Sequence, residues 1–155
     1  MRRIIYIFLV TSFLLFVAGA AEEKPNFSGT WQQDNRRSTP IGSPGSVSVN
    51  RIEHQDPNLK VFTQTTTDTG PFSGGAYSSR AHRTDGKEQE TSSGWTTVGW
   101  QGPALVFLTV QKKGSKVTFT REIWLLSDEG KTLTETRRIV SPEGVTHQTL
   151  VFEKQ

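Results

Sequence analysis

The feature that most constrains this chain is a regular alternation of β-forming segments and turn signals. From residue 47 onward, segments rich in Val, Thr, Phe and Trp are separated by Pro, Gly, Asn and Asp at intervals of roughly 8 to 12 residues. No segment in this part of the chain has the 3.6-residue period of an amphipathic helix, so we predict an all-β protein. The predicted strands are residues 27–33, 47–54, 59–67, 76–83, 87–91, 94–101, 104–111, 116–126, 132–140 and 145–153.

The short turns predict how these strands pair. Connections such as Lys113-Gly114 and Ser141-Pro142-Glu143-Gly144 join strands that follow one another along the chain. A meander of nine or ten strands leaves two unpaired edges unless the sheet closes on itself. We therefore predict an antiparallel up-and-down β-barrel, with a two-sheet sandwich as the alternative.

The N-terminus has the pattern of a signal peptide. Arg2 and Arg3 precede an apolar stretch over residues 4–17, and small residues end at Ala20. We predict cleavage after Ala20, which makes residues 1–20 the signal peptide and residues 21–155 a single exported domain. An uncleaved anchor is the alternative, but a span needs about 20 apolar residues. The expected location is periplasmic or secreted, with no membrane span in the mature form.

Composition argues against several classes of function. The chain has no cysteine, which excludes thiolate nucleophiles, thiolate metal sites and disulfides. Its net charge of +3 falls to +1 when Arg2 and Arg3 leave with the signal peptide, so we expect no nucleic-acid partner. His54, His82 and His147 are scattered, and no catalytic motif occurs. We predict a monomer that is not an enzyme and holds no metal and no cofactor.

Two short motifs connect the chain to a known superfamily. Phe27-Ser28-Gly29-Thr30-Trp31 resembles the first-strand signature of the lipocalin and fatty-acid-binding-protein (calycin) superfamily, and the run Thr-Leu-Val-Phe-Glu-Lys at 149–154 resembles the closing strand of its fatty-acid-binding branch. More broadly, residues 21–155 are similar to small exported bacterial lipocalin-like domains of unassigned function. The resemblance implies a lipocalin-like barrel in which Gly29 and Trp31 form a plug at the closed end.

The resemblance also has one informative departure. In the fatty-acid-binding branch the closing strand carries an Arg and a Tyr that hold the ligand carboxylate, whereas Leu150 and Phe152 stand at those positions here. The resemblance therefore does not imply that this chain binds a fatty acid.

The last three predicted strands contain the candidate binding residues. If the turn at 128–130 pairs Leu126 with Gly130, and the next turn pairs Val140 with Gly144, five polar residues gather on one face. These are Arg121, Glu135, Arg137, His147 and Thr149. Facing inward, the group could bind the polar end of an amphipathic ligand; facing outward, it would form ordinary surface salt bridges. The closing-strand resemblance conflicts with the inward placement, because it points Leu150 and Phe152 inward and so turns His147 and Thr149 outward.

Two functions remain open at this point. The first is a non-enzymatic barrel that binds a hydrophobic or amphipathic small molecule. The alternative is a structural or protein-interaction module with a filled barrel and no ligand. Trp95 and Trp100 flank one strand, where they could stack on a ligand or pack in the core.

Overall fold

The computed structural model describes residues 24–40, 45–68 and 73–155, which form ten β-strands and no helix. The predicted signal peptide, residues 1–20, lies outside the described residues. The strands are β1 (Gly29–Gln33), β2 (Ser46–Gln55), β3 (Asn58–Asp68), β4 (Ser73–Arg83), β5 (Glu88–Thr91), β6 (Gly94–Gln101), β7 (Ala104–Lys113), β8 (Lys116–Leu126), β9 (Thr132–Ser141) and β10 (Gly144–Lys154).

All ten strands belong to one antiparallel sheet, in the order β4-β3-β2-β1-β10-β9-β8-β7-β6-β5. The first and last strands meet, since Trp31 pairs with Lys154 and Gln33 pairs with Phe152. The sheet thus curls into a nearly closed barrel. The prediction of an all-β up-and-down barrel is confirmed, and the sandwich alternative is wrong.

The ladder is interrupted between β4 and β5, which lie at the two ends of the strand order. Gln89 bridges this seam, because its side-chain amide donates to the Arg83 carbonyl at 2.9 Å and its Oε1 accepts from the Arg83 N–H at 2.7 Å. The Gly86 N–H also donates to the Val98 carbonyl at 2.8 Å. A side chain therefore supplies the hydrogen bonds that a backbone neighbour supplies elsewhere in the sheet.

Gly94, at the start of β6, shows how closely β6 and β7 approach. Its φ is +157°, and a Cβ at this position would lie 1.9 Å from the carbonyl oxygen of Val110. Only a residue without a side chain fits there.

The hydrophobic core fills one end of the barrel, which we call the closed end. Trp31 is fully buried there, and its indole N–H donates to the Phe27 carbonyl at 2.9 Å. The Phe27 ring lies 5.7 Å from the Trp124 ring and 5.9 Å from the Trp100 ring. The buried cluster comprises Phe27, Trp31, Ile52, Leu59, Val61, Val98, Leu105, Phe107, Trp124, Leu133 and Phe152.

Gly29 faces Lys154 beside this core. A Cβ on Gly29 would lie 2.8 Å from Cε of Lys154, whose ammonium stands 5.2 Å from the centroid of the Trp31 ring. The small residue at 29 therefore leaves room for a cation over the buried indole.

Candidate functional site

Four charged side chains lie inside the barrel against the aromatic core, and we call them the charged layer. They are Arg80 on β4, Glu122 on β8, and Glu135 and Arg137 on β9. Side chains alternate between the two faces of a strand, so Glu122 shares the inner face of β8 with the buried Trp124. Pairing of β8 with β9 then sets Glu122 opposite Arg137.

Arg137 bridges the two carboxylates of the layer. Its Nη2 donates to Glu135 Oε2 at 2.7 Å. Its Nε lies 3.0 Å from Glu122 Oε2, an ion-pair contact in which the N–H is not directed at the oxygen. Among the described residues Glu135 Oε1 has no hydrogen-bond partner, although Glu135 is fully buried.

Arg80 completes the layer from the opposite wall. Its Nη2 donates to Glu122 Oε1 at 3.2 Å, and the Trp124 indole N–H donates to the same oxygen at 2.5 Å. The guanidinium also lies 5.3 Å from the Trp124 ring centroid and 5.7 Å from that of Phe107. The Arg80 side chain is 36% exposed, against 25% for Arg137. Arg80 is therefore the cation of the layer that solvent reaches most easily.

The two carboxyl groups differ in acidity because their surroundings differ. Burial raises the pKa of Glu135 to about 7, and the nearby negative charge of Glu122 acts in the same direction. Burial also favours the neutral form of Glu122, but the charges of Arg80 and Arg137 outweigh it and hold the pKa of Glu122 below its ordinary value. In the layer, Glu122 thus stays ionised at neutral pH, whereas Glu135 takes up a proton near neutral pH.

The inner wall on the side of the charged layer away from the closed end is rich in hydroxyl groups. We call that end of the barrel the open end. Thr63 donates to Asn50 Oδ1 at 2.8 Å, and the hydroxyls of Thr96 and Thr109 lie 3.1 Å apart. Strand alternation gives the inner face here to Ser48, Thr63, Thr65, Ser78, Thr96, Thr109, Thr118 and Thr120, most of them partly buried. Each threonine offers a methyl group beside a hydroxyl, so the wall can contact both apolar and polar groups of a bound molecule.

The structure divides the five residues that the sequence grouped. Glu135 and Arg137 lie inside, in contact with each other. The other three, Arg121, His147 and Thr149, lie on the outer face and line an external groove of about 350 Å³, whose lining also includes Arg137. The expected single patch is therefore wrong as a grouping.

The cause is the register of two hairpins. Arg121 pairs with Arg138 instead of Glu135, and Arg137 pairs with Gln148 instead of His147. The connection between β8 and β9 is longer than a tight turn, and the Ser127 N–H donates to the Thr132 carbonyl at 2.9 Å across it. Each register differs from the expected one by an odd number of residues, which moves side chains to the other face. The inward placement of Leu150 and Phe152 that the closing-strand resemblance implies agrees with this register.

Sequence reasoning did not find two members of the charged layer. Glu122 stands between Thr120 and Trp124 in the inward-facing series of β8, and that alternation with a large aromatic residue was an available signal. Arg80 lies in a strand whose neighbouring side chains are small and exposed, so nothing in the sequence marked it.

A second polar cluster lies at the closed end. His54 is buried, accepts from the Phe27 N–H at 3.3 Å through Nδ1, and its Nε2 lies 4.0 Å from Asp56. Burial lowers the pKa of His54. Asp56 accepts hydrogen bonds from Thr84 and from Trp100, so Trp100 belongs to the packing of this end.

The described residues include no cluster of His, Asp and Glu suited to a metal ion.

Comparison with known proteins yields a likeness in fold. No protein-family model matches the sequence, and no curated protein does. The solved structure of the fluorescent protein UnaG, wild type, is similar with a TM-score of 0.53 and 19% identity, over 83% of this chain and 97% of that one. The zebrafish ileal bile acid-binding protein in complex with cholic acid gives a TM-score of 0.47 and 15% identity, over 83% of this chain and 98% of that one. The likeness to UnaG concerns the fold alone, an antiparallel β-barrel.

In the part of the chain that the structure describes, no helix has the length and apolar character needed to span a membrane.

Proposed function

We propose that this protein is an exported, lipocalin-like binding barrel that holds an amphipathic small molecule in its interior. The observation that carries the proposal is the charged layer, which sits between the apolar rings of the closed end and the threonine-rich wall. Interior sites for small molecules typically combine apolar surface with a few convergent polar groups. The ligand that fits has an anionic group and several oxygen atoms along a partly apolar body.

The charge balance of the layer favours an anion. Arg80 and Arg137 supply two positive charges, and Glu122 supplies one negative charge. Since the pKa of Glu135 is about 7, this group is neutral in about half of the molecules near neutral pH and in more of them once an anion has bound. A bound carboxylate, sulfonate or phosphate would contact Arg80, the more exposed of the two arginines.

The first test asks whether the protein carries a ligand. The protein is purified from its own compartment and examined by native mass spectrometry. A co-purified small molecule supports the proposal. A clean protein mass, together with an interior that excludes dyes, would contradict it.

The second test uses a fluorescent anionic amphiphile, 1-anilinonaphthalene-8-sulfonate. Arg80→Gln should weaken binding of this dye about tenfold, the loss of one charge-assisted hydrogen bond. The matched control is Arg83→Gln, which removes the same charge from an exposed side chain on β4 that pairs with Asp85 and should leave interior binding unchanged. Equal affinity of the dye for the wild type and the Arg80 variant would refute an interior anion site.

The second candidate function is an interaction module with a filled interior. It is favoured by the grooves on the outer face, one of which measures about 520 Å³ and is lined by Arg51, Phe62 and Tyr77 among others. Native mass spectrometry separates the two candidates, since a filled barrel would carry no small molecule.

Export is tested by the mass of the mature chain. Expression of the full sequence in a bacterium should release a protein that begins at Ala21 into the periplasm or the medium. A cytoplasmic product that retains Met1 or its neighbours would contradict export.

A further inference from the structure

The outer face of β6 to β10 carries a row of apolar side chains that crosses all five strands, and we call it the apolar row. Cross-strand pairing places its members side by side: Trp95, Val110, Phe119, Val140 and Val145. Phe119 and Val145 are each 53% exposed, Trp95 and Val140 are partly buried, and Val110 is 6% exposed. At about 4.8 Å between strands, the row is about 19 Å long. Exposed apolar side chains that adjoin one another on one face of a small protein usually mark a binding surface.

A second row lies two residues further along the strands, and we call it the basic row. It consists of Arg121, Arg138 and His147, with Leu108 at its end. Within residues 24–40, 45–68 and 73–155, no ion pair involves these three basic residues. In the described part of the chain, the one side-chain hydrogen bond of Arg121 goes to the side-chain oxygen of Gln101, at 3.4 Å.

Cross-strand pairing sets like charges against each other in the basic row. Arg121 pairs directly with Arg138, so two guanidinium groups oppose each other, and His147 pairs with Arg138 on the other side. Like charges in opposed positions destabilise a sheet. An anion between them would relieve that repulsion, and the groove of about 350 Å³ that contains Arg121, Arg138, His147 and the Thr149 hydroxyl offers space for one.

The two rows form one surface. A second groove, of about 230 Å³, is lined by Trp95, Phe119 and Val140 together with Arg121 and Arg138. Groups that occupy the two grooves therefore touch the same two arginines, with an anionic group on one side and an apolar group on the other.

We propose that this face docks on an anionic lipid surface, with the basic row contacting lipid phosphates and the apolar row entering the interfacial region. Charge complementarity selects this occupant, because Arg121 and Arg138 have no counter-ion among the described residues and stand directly beside exposed apolar groups. Amphipathic surfaces that bind anionic membranes combine the same two features. The proposal concerns the outer wall and is independent of any ligand inside the barrel.

Another outer surface supplies a matched control. Arg51 and Phe62 lie together on the outer face of β2 and β3, with the guanidinium 4.9 Å from the ring centroid. Here the cation is paired, since Arg51 donates to Glu53 at 2.7 Å. This surface thus has a similar composition without an unpaired charge.

The experiment measures association with vesicles. The full chain is expressed and purified, mass spectrometry records its N-terminus, and the same form of each variant is mixed with vesicles of phosphatidylcholine alone or with 30% phosphatidylglycerol. We expect salt-sensitive association with the anionic vesicles only. Arg121→Gln and Arg138→Gln should each weaken it about fivefold, and Phe119→Ser should also weaken it, whereas Arg51→Gln and Phe62→Ser should leave it unchanged.

Two further readouts separate docking from loss of structure. Trp95 lies in the apolar row, so its fluorescence should shift to shorter wavelength with anionic vesicles, and Trp95→Phe should abolish the shift. Arg138→Gln relieves the like-charge contact with Arg121, so it should unfold at the same temperature as the wild type or a higher one.

Several results would overturn the proposal. One is equal association with neutral and anionic vesicles; another is equal weakening by the control variants. Binding to polyglutamate without binding to vesicles would identify an acidic polypeptide as the partner instead. A dimer in gel filtration that Phe119→Ser dissociates would identify a second copy of the chain.

Discussion

Replacement of Glu135 by Gln tests the electrostatics of the charged layer. Gln has nearly the shape of a protonated Glu and can still accept from Arg137, but it cannot ionise. Glu135 is fully buried, and burial, followed by the charge of Glu122, raises its pKa from 4.5 to about 7. A carboxyl group with a higher pKa in the folded state binds protons more tightly when folded, so it favours the folded state at low pH.

The size of the effect follows from the shift in pKa. The free energy of unfolding should fall as the pH rises from about 4.5 to about 7 and should then stay level. At about 1.4 kcal/mol for each pKa unit, ionisation of Glu135 lowers the free energy of unfolding by about 3 kcal/mol at pH 8. The Gln variant does not ionise, so its free energy of unfolding is not lowered in this way. Between pH 5 and pH 8 it should therefore gain about 2 to 3 kcal/mol of stability relative to the wild type.

Urea unfolding followed by tryptophan fluorescence measures the difference at each pH. Glu122→Gln is the control with the opposite sign, because the pKa of Glu122 is lowered by Arg80 and Arg137. Its ionised form stabilises the fold above about pH 4.5, so this variant should lose about 3 kcal/mol at pH 8 and less as the pH falls. If the stabilities of wild type and Glu135→Gln run parallel from pH 5 to pH 8, the assignment of a proton-binding carboxyl to Glu135 is wrong.

Three further changes test the packing of the barrel. Trp31→Ala should lower the free energy of unfolding by about 3 to 5 kcal/mol in urea titrations, because it empties a fully buried site; a loss under 1 kcal/mol would contradict the core assignment. Gly94→Ala should destabilise by about 1 to 3 kcal/mol in thermal unfolding, because its Cβ meets the Val110 carbonyl; an unchanged melting temperature would argue against that approach. Gln89→Ala should speed amide exchange at Arg83 in NMR spectra, because it removes the acceptor of that N–H; unchanged exchange would show that the bridge does not protect the seam.

The strand pattern could be predicted because the sequence repeats the same local signals. The predicted segments 94–101 and 116–126 coincide with β6 and β8, and the other strands differ from prediction by a few residues at their ends. Val, Thr and aromatic residues favour strands, and Pro and Gly end them, so local chemistry sufficed. The meeting of β1 and β10 was predicted from the need to pair the first and last strands, whereas the interruption between β4 and β5 was not predicted.

The site was harder to predict because it depends on the register of the strands. The sequence predicts a tight turn at 128–130, but Leu126 pairs with Leu133 across a longer connection. That difference changed the face on which Arg121 lies. Arg80 reaches the layer from β4, on the far side of the barrel, through pairings that no single hairpin reveals.

The pairing of β1 with β10 has a consequence for how the molecule forms. Eight of the ladders in the sheet join strands adjacent along the chain, so each can form as soon as its two strands have been synthesised. The remaining ladder joins Trp31 to Lys154, so it cannot form until β10 has been synthesised. Until then the indole near the beginning of the chain stays uncovered. Loss of β10 would therefore leave most hairpins able to form, but the part of the core around Trp31 would remain exposed to water.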